Sequence, residues 1–352
     1  MSPAHLGLKP VLLGALLAVA ALGLAAHEAK AITFGEPDCD DNATNSNCRH
    51  PNTVSVSGFR ASGPNEPPVD GVSSVRCSGS LLSKNADRFV ILTAGHCASA
   101  YIAGLQSGGL IDVGVSFDAL IERDVPQISA FSWTPKQYVL GGIPVLPQEY
   151  GPQGANAWNL HFDYAVIVFE IPAGGVVTHG GTPVDLSAID LVTLPAEGLL
   201  EDIVDASDTP IVTAVGYGVG EAHKKPREGG RKGAGNDLSV FGVRYLADGT
   251  GLTSFLGPNQ NLVFGSQNPA RGFIGTCGGD SGGPIFYQTL AGEIQVGVTS
   301  SGDAICRGSA IIARTDAPEA QDFLHCVLEA GDTASIEACG CTAVGPQGEC
   351  AQ

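Results

Sequence analysis

Short apolar runs recur along most of the chain and are separated by turn-rich stretches. Their apolar positions alternate with polar ones or are rich in β-branched residues, as in segments 88–94, 163–171, 211–218, 294–300 and 310–315. Between them lie stretches rich in glycine, proline and polar residues, such as 141–159 and 218–237. Short strands divided by such turns are typical of antiparallel barrels and sandwiches. The pattern therefore predicts an all-β protein.

One segment near the end of the chain has a helical pattern instead. Between residues 317 and 330, Phe323, Val327 and Leu328 fall on one side of a helix. Composition gives no sharp domain boundary, and the least patterned connection is 173–197. We expect two β lobes that divide there, with the helix after the second lobe.

The first 31 residues have the pattern of a secretory signal. A short polar start precedes the almost wholly apolar stretch 10–26, and Ala29 and Ala31 supply the small residues of a cleavage site. A membrane anchor is the alternative, but the apolar stretch falls short of the roughly 20 residues that span a bilayer. We expect cleavage after Ala31 and a protein that is secreted to the periplasm or the cell exterior.

The cysteines agree with export. There are ten, and they fall in groups that are close in sequence: Cys39 with Cys48, Cys77 with Cys97, Cys277 with Cys306, and Cys326, Cys339, Cys341 and Cys350 together. In an oxidising compartment an even number in such groups predicts about five disulfides. A zinc site is less favoured, because one residue separates the closest pair and structural zinc sites usually have two to four. The pairing of the last four cysteines stays open among three connectivities.

The formal net charge is −18, which disfavours binding to nucleic acid or anionic membranes. One basic island, Lys224–Lys232, interrupts the acidic surface, and its glycines and proline predict an exposed loop. Docking of acidic partners on this island is the alternative. Segment 38–42 resembles the start of a calcium loop, but Ala43 and Arg49 stand where the glycine and glutamate are needed. We expect a monomer that holds no metal or cofactor.

Three segments, 92–97, 161–166 and 275–284, contain the residue types of nucleophilic catalysis. A serine hydroxyl becomes an effective nucleophile when a base takes its proton, and a neutral imidazole has a suitable pKa. A buried carboxylate holds that imidazole in one tautomer. Glycines allow a turn tight enough to aim two backbone N–H groups at one developing oxyanion. The third segment places Ser281 in such a turn.

The third segment contains Gly-Asp-Ser-Gly-Gly-Pro and resembles the nucleophile motif of trypsin- and chymotrypsin-like serine peptidases without a mismatch. The first resembles the histidine motif Thr-Ala-x-His-Cys of that family, with Gly95 where alanine is commoner. Segment 77–82 resembles the strand whose cysteine pairs with the one after the histidine. The resemblance covers about 32–330 and implies two six-stranded antiparallel β-barrels with the site between them. A cysteine-rich tail, 331–352, follows.

The resemblance implies a role for each residue of the three motifs. His96 is the general base, Asp163 orients it and Ser281 is the nucleophile, with the N–H groups of Gly279 and Ser281 as oxyanion donors. Asp112 and Asp118 also lie between the histidine and the serine. Asp163 is favoured over them because it stands at the head of a hydrophobic strand, as in the family.

The family also activates by pairing a freed N-terminal amine with the aspartate before the nucleophile, here Asp280. Cleavage after Ala31 would expose Ile32 directly, so signal removal would itself activate the chain. The family's disulfides imply the pairs Cys77–Cys97 and Cys277–Cys306. The corresponding specificity-pocket positions carry no charge and are Gly275, Thr276, Ser300, Gly302 and Ala310, with Asp303 nearby.

These features predict a secreted serine endopeptidase that cleaves protein or peptide substrates, and that protein inhibitors could block. An uncharged pocket favours medium-sized apolar residues before the cut bond, because burying an unpaired substrate charge costs several kcal/mol. One alternative is an inactive binding or adhesion module with the same fold, which would have a damaged triad. Another is an esterase, for which no lipid-facing helix or apolar lid is evident.

Overall fold

A computed structural model describes residues 35–41, 46–61, 72–121, 137–152, 160–172, 177–179, 182–207, 209–226, 232–237, 244–256, 261–303 and 305–351. The expected signal segment, 1–31, and the expected new N-terminal residue, Ile32, lie outside these ranges, as do Ala43 and the basic-island residues Arg227 and Arg231.

The all-β prediction is confirmed. The elements are β1 (Glu36–Pro37), β2 (Cys39–Asp41), β3 (Ser46–Cys48), β4 (Thr53–Arg60), β5 (Val72–Lys84), β6 (Arg88–Thr93), α1 (Gly95–Gln106), β7 (Asp112–Ser116), β8 (Val139–Leu140), β9 (Ile143–Pro147), β10 (Gly151–Pro152), β11 (Leu160–His161), β12 (Ala165–Glu170), β13 (Val177–His179), β14 (Thr182–Val184), α2 (Leu199–Ala206), β15 (Ile211–Gly216), β16 (Gly220–Pro226), β17 (Lys232–Asp237), β18 (Tyr245–Leu256), β19 (Leu262–Ser266), β20 (Pro284–Thr289), β21 (Gly292–Gly302), β22 (Ser309–Arg314), α3 (Pro318–Glu329), α4 (Thr333–Ala338) and β23 (Gly340–Cys341).

The first lobe is an antiparallel sheet in the order β23-β9-β12-β6-β5-β4-β7-β8. Its central strands β6 and β12 are almost wholly buried and rich in Val, Ile and Phe, as expected for strands covered on both faces. In their antiparallel register Thr93 lies opposite Ala165. The residues that follow β6 and those that precede β12 therefore meet at one edge of the sheet, and these include His96 and Asp163.

The second lobe is a closed six-stranded barrel. Its sheet has the order β1-β18-β15-β20-β21-β22-β19, and a further pairing of β18 with β19 closes the ring. The turn that carries Ser281 leads directly into β20. At the junction of the lobes the Ser78 N–H donates to the Ser281 carbonyl at 2.8 Å, so this turn is attached to β5 of the first lobe.

The first lobe differs from the six-stranded barrel that the resemblance implies. In the described residues it is a curled half-barrel of eight strands. Six strands form its body, and the two-residue strands β8 and β23 lie at its edges. Strand β23 belongs to the C-terminal tail, which lies beyond the part of the chain that the resemblance covers.

The basic island also differs from its prediction as a loop. Lys224 and Lys225 lie in β16 and Lys232 lies in β17, and these strands pair as a two-stranded hairpin. Pairing of the backbone along both flanks satisfies the polar groups that a loop would leave to water.

All ten cysteines form disulfides. The three expected pairs are present, and the structure resolves the remaining four as Cys326–Cys339 and Cys341–Cys350. Five disulfides fit a protein that matures in an oxidising compartment. In the part of the chain that the structure describes, no helix is both long and apolar enough to cross a membrane.

A buried ion pair joins the N-terminal segment to the second lobe. The Arg244 side chain is fully buried, and its Nε donates to Asp38 Oδ2 at 2.9 Å. Its Nη1 donates to the carbonyls of Thr53 and Phe117. Asp38 also lies 2.6 Å from His50 Nδ1. Because these groups have left water, each depends on its partners to offset the cost of desolvation.

We expect Arg244→Leu to lower the free energy of unfolding by about 3–5 kcal/mol, because it leaves the Asp38 carboxylate buried without its guanidinium. Chemical denaturation measures the loss. The control is Arg271→Leu, at an exposed position where substitutions usually change stability by no more than about 0.5 kcal/mol. Equal losses in the two variants would contradict a stabilising role for the buried pair.

Candidate active site

The carboxylate of Asp163 faces His96 at the edge where β6 and β12 end. Asp163 Oδ2 lies 2.9 Å from His96 Nδ1, and Asp163 Oδ1 accepts the His96 backbone N–H at 2.7 Å. The Ser300 hydroxyl of β21 donates to Oδ2. Asp163 is fully buried, and its three donors come from both lobes.

The two other candidate aspartates are used elsewhere. Asp112 Oδ1 accepts the N–H groups of Val113 and Gly141, and so closes a turn beside β8. Asp118 Oδ2 accepts from the Gln137 side-chain amide. Asp163 is therefore the candidate that lies on the imidazole.

Asp163 and His96 each favour the charged form of the other. Burial opposes ionisation of Asp163, but the nearby His96 and the three hydrogen bonds outweigh it and lower the pKa of this carboxyl. Burial likewise lowers the pKa of His96, and the Asp163 carboxylate more than offsets this, so the pKa lies above its ordinary value. Since Nδ1 faces the carboxylate, it carries the proton in the neutral ring and Nε2 is free to accept one.

Ser281 lies beside this pair at the lobe junction. The sulfur of Cys97 is 3.5 Å from His96 Nε2 and 3.8 Å from the Ser281 carbonyl oxygen. The next residue in the turn, Gly282, donates its N–H to the Thr299 carbonyl at 2.7 Å. The Cys77–Cys97 disulfide and strand β21 thus hold the serine turn near the imidazole, although within the described part of the chain no hydrogen bond joins Ser281 to His96.

The serine turn requires its glycines. Gly279 and Gly282 have φ values of +98° and +80°, which side chains with a Cβ rarely adopt. A Cβ at Gly282 would also lie 2.2 Å from Thr93 Oγ1. Within the described part of the chain, the N–H groups of Gly279 and Ser281 donate no hydrogen bond to the protein. The oxyanion prediction needs both N–H groups to face one acceptor, and it stays a prediction.

Ser78 supports the turn in a way that the sequence did not reveal. Its hydroxyl donates to the Gly279 carbonyl at 3.1 Å and accepts the Tyr217 N–H at 3.0 Å. The side chain is fully buried between the lobes. Its proximity to Cys77 in the family-like segment was the only available signal.

Asp280 is a second buried carboxylate, and it has no cation beside it among the described residues. Its oxygens accept the N–H groups of Cys277 and Gly218 at 2.8 and 2.7 Å. Burial raises the pKa of Asp280 to about 7, and the two hydrogen bonds only partly oppose this. The expected partner, the amine of Ile32, lies outside the described residues.

A pocket opens beside Ser281, and the structure brings two of the five predicted residues to it. Thr276 and Gly302 line it, together with Cys277, Gly278, Thr299, Ser301, Asp303 and Cys306. Gly275, Ser300 and Ala310 do not line it. Ser300 binds Asp163 instead, and Ala310 is buried in β22.

Gln267 occupies the space next to Gly275. A Cβ at Gly275 would lie 2.3 Å from Gln267 Oε1, and that oxygen accepts the Thr276 N–H at 2.8 Å. Gln267 is fully buried, so the pocket is backed by an amide rather than a charge. It follows β19 and lies eight residues before the third segment begins, and no sequence signal pointed to it.

Asp303 is the one charged residue that lines the pocket within the described residues. Its oxygens accept the N–H groups of Arg307, Gly308 and Ser309. Burial opposes ionisation, but these hydrogen bonds outweigh it and lower the pKa of Asp303. The carboxylate therefore closes the loop before β22, and most of its acceptor capacity is used there.

We expect the pKa of His96, followed by NMR through its ring protons, to lie above its ordinary value of about 6.5. Asp163→Asn should bring it below that value, because the charge that opposes desolvation is lost. Asp112→Asn is the matched control and should leave the pKa of His96 unchanged. A similar shift of the His96 pKa in both variants would contradict a specific interaction between Asp163 and the imidazole.

Comparison with protein-family models gives no match, and comparison with curated proteins finds no similar sequence. The closed barrel and the curled half-barrel are compatible with the double barrel of trypsin-like hydrolases. The functional assignment therefore depends on the fold and on the geometry of the site.

Proposed function

We propose that the protein is a secreted serine endopeptidase that hydrolyses peptide bonds through an acyl-enzyme on Ser281. The observation that carries this proposal is the buried Asp163 carboxylate on His96 Nδ1, with the glycine turn of Ser281 against the same histidine motif. An inactive binding module would have no need of a buried carboxylate aimed at a partly exposed imidazole.

The proposed reaction begins with proton transfer from the Ser281 hydroxyl to His96 Nε2. The serine oxygen attacks the carbonyl carbon of the scissile bond, and the resulting oxyanion accepts the N–H groups of Gly279 and Ser281. His96 then gives its proton to the leaving amine as the C–N bond breaks. Water repeats the sequence on the acyl-enzyme and releases the carboxylic acid. Asp163 keeps Nδ1 protonated and stabilises the imidazolium.

Activation is proposed to follow from signal removal. A buried carboxylate without a cation is costly, and an ammonium placed beside Asp280 would return its pKa to the acidic range. The amine of Ile32 would supply that ammonium and would fix the serine turn. Because a paired amine has a raised pKa, activity should persist below that value and decline as pH rises through it. A free amine titrates near about 7.7–8.0.

The proposed substrates have uncharged, medium-sized apolar residues before the cut bond. The pocket is lined mainly by glycine, serine, threonine and a disulfide, and the amide of Gln267 backs it. Asp303 is the exception, but three backbone N–H groups already bind its carboxylate. A peptide-library digest tests this preference, and dominant cleavage after Lys or Arg would contradict it.

We expect Ser281→Ala to reduce kcat by about 10⁶-fold while the protein stays folded, because it removes the nucleophile. A fluorophosphonate probe should label the wild type and should not label Ser281→Ala. Ser107→Ala, at the exposed end of α1, is the control and should keep both labelling and turnover. Equal labelling of all three proteins would refute the assignment of Ser281.

We expect a chain that begins at Ile32 to be active, and a chain with one extra alanine before Ile32 to lose activity on the order of 100-fold, because Asp280 then lacks its cation. Active-site titration and kcat measure the loss. A third chain, which combines the extra alanine with the exposed-site substitution Arg271→Leu, should match the second. Full activity in the extended chain would show that activation does not need a free amine at Ile32.

A further inference from the structure

The C-terminal tail is attached to the first lobe beside the active site. Strand β23 pairs with β9, with Gly340 opposite Pro147 and Cys341 opposite Leu146. The contact is close, because a Cβ at Gly340 would lie 1.9 Å from the Leu146 carbonyl oxygen. The Cys341–Cys350 disulfide then closes the rest of the tail into a short loop.

This loop binds the helix that carries the candidate catalytic histidine. The Ser99 hydroxyl of α1 donates to the Gly348 carbonyl at 2.8 Å, and Ser99 is three residues after His96. Near the other end of α1, the Val344 N–H donates to Gln106 Oε1 at 3.3 Å. Gly348 has a φ of +82°, and a Cβ there would lie 2.8 Å from Ser99 Oγ. The tail is therefore shaped to receive Ser99.

The same loop also holds Tyr150. The Cys350 N–H donates to the Tyr150 carbonyl at 3.0 Å. Burial raises the pKa of the Tyr150 hydroxyl, and the nearby Ser99 side chain partly opposes this shift. Tyr150 is buried in an apolar cluster with Ala98 of α1, and Cys341 packs against that cluster. The disulfide, the tyrosine and the helix thus form one connected contact.

The Tyr150 ring in turn packs against Gly95, the residue before His96, and lies near Asp163. A Cβ at Gly95 would lie 2.5 Å from Tyr150 Cε2 and 3.2 Å from Asp163 Oδ1. The ring therefore fills the space next to the carboxylate and against the first residue of α1. This contact gives a physical reason for Gly95 at a position where related motifs have alanine, because a methyl group there would displace the ring.

We propose that the disulfide-closed C-terminal tail is a positioning element for His96. Through Ser99 and Tyr150 it fixes the first turn of α1 and the wall beside Asp163. The inference rests on the proposed peptidase function, since the residue it positions is the general base. The tail touches no reacting atom, so its loss should change the rate of the chemical steps rather than the binding of substrate.

The chain contains a matched control for this proposal. Cys326–Cys339 is a second C-terminal disulfide, of which only Cys339 lies in the tail, and its sequence separation is 13 compared with 9 for Cys341–Cys350. It joins α3 to the end of α4. Loss of either disulfide should lower stability by similar mechanisms, but only Cys341–Cys350 closes the loop that binds Ser99 and Tyr150.

We expect the double variant Cys341→Ser/Cys350→Ser to have a kcat about tenfold lower with an unchanged KM, because small displacements of a catalytic group are costly. Cys326→Ser/Cys339→Ser should keep the wild-type kcat, even where its Tm falls as much. Both are measured in the mature chain on one peptide substrate, well below the lower Tm. The rate of fluorophosphonate labelling should fall in parallel with kcat.

A second variant keeps the test valid if the first double variant fails to fold. Ser99→Ala removes the hydrogen bond to Gly348 and the polar group beside Tyr150 but keeps the disulfide, and it should lower kcat with KM unchanged. Ser99→Thr keeps a hydroxyl and should restore most of the rate. Wild-type kcat in both Ser99→Ala and the Cys341/Cys350 variant would overturn the inference alone. An inactive wild type would overturn the proposed function, and this inference with it.

Discussion

The arrangement of the site depends on the buried carboxylate of Asp163. An ionised carboxylate without partners cannot remain in a protein interior, and this one has three donors from different elements. Two of them belong to His96 in the first lobe, and the third is Ser300 of the second-lobe barrel. The Asp163 carboxylate therefore has all three of its hydrogen-bond donors only when the two lobes are in contact. The orientation of the imidazole follows from it.

The backbone that delivers Asp163 also shows this constraint. Phe162, the preceding residue, has a φ of +58°, a conformation that a bulky side chain rarely adopts. The Tyr164 N–H donates to the Phe162 carbonyl at 2.8 Å across this tight turn. Such local strain persists where surrounding contacts determine the conformation. Here these contacts are the three donors to Asp163 and the start of β12.

The two buried carboxylates of the site have pKa values shifted in opposite directions, because their partners differ. Asp163 and Asp280 are equally inaccessible to water, yet the pKa of Asp163 is lowered and that of Asp280 is raised to about 7. Asp163 has an imidazole that can share its charge, whereas Asp280 has only two backbone N–H groups. Among the described residues, Asp163 thus has a partner that can carry a positive charge, and Asp280 has none. That difference is the observation on which the proposed link between N-terminal processing and the order of the serine turn is based.

The sequence predicts the parts of the site that are encoded locally. The turn of Ser281 needs its neighbouring glycines, and Asp163 is predicted from its place at the head of a hydrophobic strand, as in the family that the chain resembles. Contacts made by residues outside the motifs leave no such pattern. Gln267 reaches the pocket from the end of β19, and Arg244 meets Asp38 more than two hundred residues earlier in the chain. Only the folded chain brings these groups together.

The C-terminal tail covers a strand edge that the open half-barrel leaves unpaired. A sheet that does not close leaves β9 with an edge of unpaired N–H and C=O groups, which favours aggregation. Strand β23 covers this edge, and the following loop is held close to α1 by that same pairing. The segment that covers this edge strand therefore also lies within hydrogen-bonding distance of α1, the helix that carries His96. One disulfide-closed segment thus covers the open edge of the half-barrel and binds α1, and the positioning role that we propose for it depends on both contacts.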